Sequence, residues 1–73
     1  MKAMKYTVIV EETNTGFSGY VPDLPVVVAA ASSREELVKL MSEAIPMHIE
    51  LLREDGEDIP PPRTFSMEID VAA

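Results

Sequence analysis

Two prolines enclose an Asp-Leu pair in the run Tyr20, Val21, Pro22, Asp23, Leu24, Pro25, a spacing that specifies a stiff corner in the backbone. Each proline fixes its own φ and pushes the residue before it toward extended geometry, so Val21 and Leu24 are held in β or polyproline form. On either side lie strand-like stretches, Phe17 to Val21 and Val26 to Ala31. The run therefore reads as a stiff corner between two strands.

At 73 residues the chain is expected to form one domain, 1–73, near the lower limit of independent stability. It has no cysteine and one histidine, His48, which leaves no disulfide and no usual ligand set for a transition metal. No cofactor is expected. Self-association then becomes the natural source of added stability, and a 47% hydrophobic composition in so short a chain points the same way. Thirteen acidic residues against six basic give a formal charge of −7. That charge repels phosphate backbones and favours a basic partner over nucleic acid. The N-terminus has no apolar leader and no run approaches the roughly 18 apolar residues that cross a bilayer, so a cytoplasmic protein is expected.

Lys5 to Glu12 alternates Tyr6, Val8 and Val10 with Thr7, Ile9 and Glu11, the pattern of a half-buried strand. Thr13 to Gly16 carries turn residues, and Phe17 to Val21 returns as the second arm of a hairpin. Val26 to Ala31 is apolar without alternation, so both of its faces need cover. Ser32 and Ser33, each three residues ahead of Glu35 or Glu36, start a helix expected from about Arg34 to Asp55. Leu37, Leu40, Met41, Ala44, His48, Leu51 and Leu52 share its apolar stripe, with Val38, Ile45 and Ile49 on one flank. Pro46 is expected to kink this helix without splitting it, because the stripe keeps its phase across the proline. Gly56 is its expected C-terminal stop. Pro60, Pro61 and Pro62 form a stiff connector, after which Phe65, Met67, Ile69 and Val71 alternate inward with Ser66, Glu68 and Asp70 outward. The fold class that follows is α+β, two-layer, β-β-β-α-β, with a mixed sheet of order 3-2-1-4 packed on one helix.

The opening strand, the Tyr20 to Pro25 corner, the capped helix and the series from Leu52 through Glu54, Asp55, Gly56, Glu57 and Asp58 to Pro60 together resemble the HicB-like antitoxin domain. The resemblance spans nearly the whole chain. It implies a degraded ribonuclease-H-like unit that oligomerises and neutralises a small basic toxin ribonuclease by binding, without catalysis of its own. Members of that family usually follow the corner with a glycine and a small residue or cysteine. Here Val26, Val27 and Val28 stand in those places. Many members also append a DNA-binding module, which this sequence lacks, so operator binding is not expected.

Three site readings follow. Glu54, Asp55, Glu57 and Asp58 oppose the helix dipole at its C-terminus and are the candidate surface for a basic toxin, weighed against an ordinary solvated acidic turn. Val26, Val27, Val28, Val38, Ile45 and Ile49 are the candidate oligomer interface, for a homodimer or tetramer. Glu11, Glu12 and Asp70 would gather only if the last strand paired with the first, a relic metal-dependent nuclease being the third reading behind a stand-alone interaction module with no toxin. His48 reads as a core or interface histidine.

Overall fold

The structure, a computed structural model, describes residues 4–72, so the first three residues and the last of the expected 1–73 domain lie outside it. Its elements are β1 (Ile9–Thr13), β2 (Gly16–Val21), β3 (Leu24–Ala31) and α1 (Arg34–Glu54). The strands form an antiparallel sheet in the order β1-β2-β3, and one helix follows, an α+β arrangement.

β1 and β2 meet through a two-residue turn, Asn14 and Thr15, with Thr13 opposite Gly16. The glycine is needed for space: a Cβ on Gly16 would run into the Ala31 carbonyl and lie 2.9 Å from Ser32 Cα. Val21 pairs with Leu24, so the proline corner closes as a second two-residue turn made of Pro22 and Asp23. Pro25 then sits inside β3, which is an edge strand, where a missing N–H costs no ladder bond on the solvent side. β1 begins later than the expected Lys5. The ladder runs back only to Ile9 opposite Tyr20, because the next step on β2 is the register shift at Tyr20/Val21 that leads into the corner.

Ser33 caps α1, its hydroxyl accepting from the Glu36 amide at 3.1 Å, while the Ser32 hydroxyl donates to the Glu36 carboxylate. At the other end Gly56 takes φ +69°, the left-handed conformation that favours glycine. The Glu57 amide donates to the Leu52 carbonyl and the Gly56 amide to the Arg53 carbonyl, the paired bonds of a Schellman stop. Pro46 lies within a continuous helix of 21 residues and does not split it.

The core is Val21, Leu24, Val27, Leu37 and Met41. Tyr6, Val8, Ala29, Ala44 and Ile45 pack around it. Gly19 lets helix and sheet meet: a Cβ there would stand 3.2 Å from Met41 Cε and 3.3 Å from Leu37 Cδ2. α1 packs on β3 and β2 and stops short of β1. The expected helical stripe is only partly covered, since Leu40, Leu51 and the flanking Val38 are exposed. A 21-residue helix is about 31 Å long and an eight-residue strand about 26 Å, so the helix is about one turn longer than β3.

Among the described residues the expected fourth strand is not formed, and the sheet has three strands, β1-β2-β3, instead of the order 3-2-1-4. Residues 57–72 carry no regular structure, and Phe65, Met67, Ile69 and Val71 are 75%, 70%, 75% and 80% exposed instead of facing inward. Burying each would be worth about 1.5–3 kcal/mol, which one chain leaves unrealised. The radius of gyration, 14.1 Å, exceeds the roughly 11 Å of a compact chain this long, as expected of a chain with part of its length outside the core.

Candidate functional site

Residues 60–64 are fastened to the sheet at a point the sequence did not reveal. The Asp23 carboxylate accepts hydrogen bonds from the Arg63 and Thr64 amides, each at 2.9 Å, and from the Thr64 hydroxyl at 3.0 Å. Beside it, the Thr7 hydroxyl donates to the Thr64 carbonyl at 2.7 Å and the Tyr6 hydroxyl to the Pro60 carbonyl at 2.6 Å. The Thr64 amide is the largest influence holding the Asp23 carboxyl below its ordinary range; partial desolvation opposes it, and the Thr64 hydroxyl, Arg63 amide and Arg63 charge add to the lowering. Burial, and then the Asp23 charge, push the Tyr6 phenol upward. The corner thus has a second role: Asp23 is presented by a tight turn as an acceptor for a segment forty residues away.

Next to this clamp lies an apolar groove of about 240 Å³ between β1 and α1. Val8, Val10, Leu37, Val38, Met41 and Ile45 line it. Its polar side chains are Arg34 and Ser42, and the Ser42 hydroxyl is already committed to the Val38 carbonyl at 2.7 Å. A groove this poor in convergent polar groups suits apolar side chains better than a small polar ligand.

Glu54, Asp55, Glu57 and Asp58 are all exposed around the Schellman stop. Backbone bonds already close the helix end, and among the described residues none of the four carboxylates has a hydrogen-bond or ion-pair partner. The single basic residue of the last turn, Arg53, pairs with Glu50 at 3.8 Å across a solvent-exposed face, an interaction of small weight.

The proposed interface residues separate. Val26, Val28 and Val38 are exposed, Ile45 and Ile49 are half-buried, and Val27 belongs to the core, where packing against Met41 removes it from any outer surface. Ile45 packs on the core instead of standing apart on a flank. His48 is half-buried and lies outside the core cluster. Glu11 and Glu12 lie on β1, whereas Asp70 belongs to the unpaired segment, so the three are not gathered. Among the described residues no three acidic or histidine side chains are grouped as metal ligands.

The molecule is thus a small α+β domain whose distinctive features are surfaces: an acidic helix end, an apolar groove and an exposed apolar run. The chain belongs to the HicB-like antitoxin family of bacterial toxin-antitoxin systems, whose model matches residues 6–72. Among curated proteins it is 37% identical over 57 residues to an uncharacterized 14.9 kDa protein from the rep-hol intergenic region of Haemophilus phage HP1, covering 78% of this chain and 43% of that one. It is 32% identical over 63 residues to Antitoxin HicB 2 of Photorhabdus laumondii, covering 86% of this chain and 45% of the relative. The chain spans less than half the length of either relative. No described helix is long and apolar enough to cross a membrane.

Proposed function

We propose that this chain is a non-catalytic antitoxin domain that neutralises a small basic toxin ribonuclease in the cytoplasm by binding it directly. The family match over residues 6–72 carries the reading. The acidic helix end supplies its chemistry. Glu54, Asp55, Glu57 and Asp58 stand exposed and, among the described residues, without internal partners, and a formal charge of −7 steers a cationic protein toward them. A toxin that grips RNA phosphates needs a basic face, and these carboxylates are of the sign to cover it. The same reading carries a 3-2-1-4 sheet of degraded ribonuclease-H-like outline, for which the free edge of β1 leaves room.

The test is a search beside the coding sequence for a gene for a short basic protein, copurification of the chain with its product, and titration calorimetry of the pair. Charge reversal in the double variant Glu57→Lys, Asp58→Lys is expected to weaken binding at least tenfold, about 1.4 kcal/mol, with the loss largest at low salt. Unchanged affinity removes the acidic end from the interface, and failure to recover any basic partner removes the toxin. A stand-alone interaction module is the second reading, favoured by the exposed Val26 and Val28 on β3.

A further inference from the structure

We propose that residues 65–72 form the missing fourth strand in reciprocal exchange: each copy lays its segment along the free edge of β1 in a second copy, with alternate side chains over the β1–α1 groove. Three observations lead there. First, the segment alternates Phe65, Met67, Ile69 and Val71 with Ser66, Glu68 and Asp70, and with Val26 the apolar four are the most solvent-exposed large hydrophobic residues among those described. Its backbone makes no hydrogen bond to other backbone among the described residues, so a strand's worth of donors and acceptors is unpaired. Second, among the described residues β1 pairs with β2 on one side only, and α1 stops short of it, leaving Val10 and Val38 exposed over an apolar groove. A ladder on that edge would put every second side chain of the added strand on the groove face.

Third, the segment is held where it leaves the domain. Thr64 is pinned between Asp23 and Thr7, and Pro60 to Pro62 before it leave little slack, yet residues 65–72 do not settle on their own β1. Short, stiff hinges of this kind favour exchange between copies over closure within one. Exchange in both directions covers eight large apolar side chains, four from each copy, together with both grooves. It also protects two edge strands that would otherwise be open to pairing with other chains.

This interface does not use the acidic helix end, and it stands or falls apart from the toxin reading. Its salt dependence is opposite in sign. Two chains of charge −7 repel, and Glu68 and Asp70 approach a strand that carries Glu11 and Glu12, so added salt tightens the dimer while it loosens a basic partner.

The experiment uses the 73-residue chain. Sedimentation should give a mass near twice the 8.0 kDa of one chain, with dissociation suppressed by salt. Ile69→Asp should shift the protein to monomer with its helical circular dichroism intact, since Ile69 is exposed within a single chain. Because there is no native cysteine, single cysteines at Phe65, Met67, Ile69 or Val71 can be mixed with Val38→Cys and oxidised. Disulfides between the two different chains support exchange. A monomeric wild-type chain, a dimer indifferent to Ile69→Asp, a crosslink that forms only within one chain carrying both cysteines, or a dimer joined through Val26 and Val28 would each overturn it.

Discussion

The first turns of α1 and the run 65–72 are built from the same kinds of residue in equally regular patterns, and they end in opposite environments. Leu37 and Met41 are almost wholly buried against β2 and β3, while Phe65, Met67, Ile69 and Val71 face solvent. The helix is covered by a sheet whose strands are joined by two tight turns and which immediately precedes it in the chain. The later run reaches the sheet only through the polar contacts of residues 60–64, and the apolar part begins where those contacts stop. Periodicity identifies which face of a segment is apolar; what covers that face depends on whether a matching surface exists in the same chain.

The strongest way to break this contrast is to truncate one residue in each region. Leu37→Ala should lower the unfolding free energy by about 3 kcal/mol at every protein concentration, as expected for a large-to-small change in a packed core. Ile69→Ala should lower it only at concentrations where a second copy is bound. Urea unfolding followed by circular dichroism across a dilution series measures both, and an equal cost at the highest dilution would mean that the run is packed within its own chain. A smaller effect sharpens the first region alone. Gly19→Val should cost about 2 kcal/mol, because its added methyls meet Met41 and Leu37 where even a Cβ is tight.

The smallest effect concerns the boundary between the regions. The Asp23 carboxyl binds a proton less readily in the folded chain than in the unfolded one. Its contribution is therefore complete above the ordinary aspartate range and fades as pH falls through the lowered folded value. The Thr64 amide resonance should titrate with that midpoint, and in Asp23→Asn the transition should vanish while the core melts nearly as before. A Thr64 resonance that ignores Asp23→Asn would detach the clamp from the segment.

Much of the fold was legible because its signals are local. Ser33 with Glu36 starts the helix, Gly56 stops it, and the residues of each hairpin turn are neighbours in sequence. The proline spacing predicts a stiff junction, but the pairing of Val21 with Leu24 depends on register that this spacing does not specify. The Asp23 clamp was not legible: an aspartate in a turn is ordinary, and its partners, two backbone amides and one threonine hydroxyl, lie about forty residues away with nothing in the sequence to link them to it. The fourth strand departs from expectation for another reason. Its alternation is genuine, but alternation does not say which edge a strand will join, and residues 65–72 form no ladder with the β1 edge of their own chain. The acidic helix end was visible as charge, whereas its freedom from capping duties emerged only with the Schellman bonds.

Asp23 also determines how the exposed run meets the world. A tail attached through one flexible joint samples every direction and loses that freedom when it binds, whereas this one leaves from a carboxylate that fixes two successive amides and a hydroxyl. The direction of departure is set before any encounter, so part of the ordering cost of association is met within the folded domain. The clamp makes the run a pre-aimed arm.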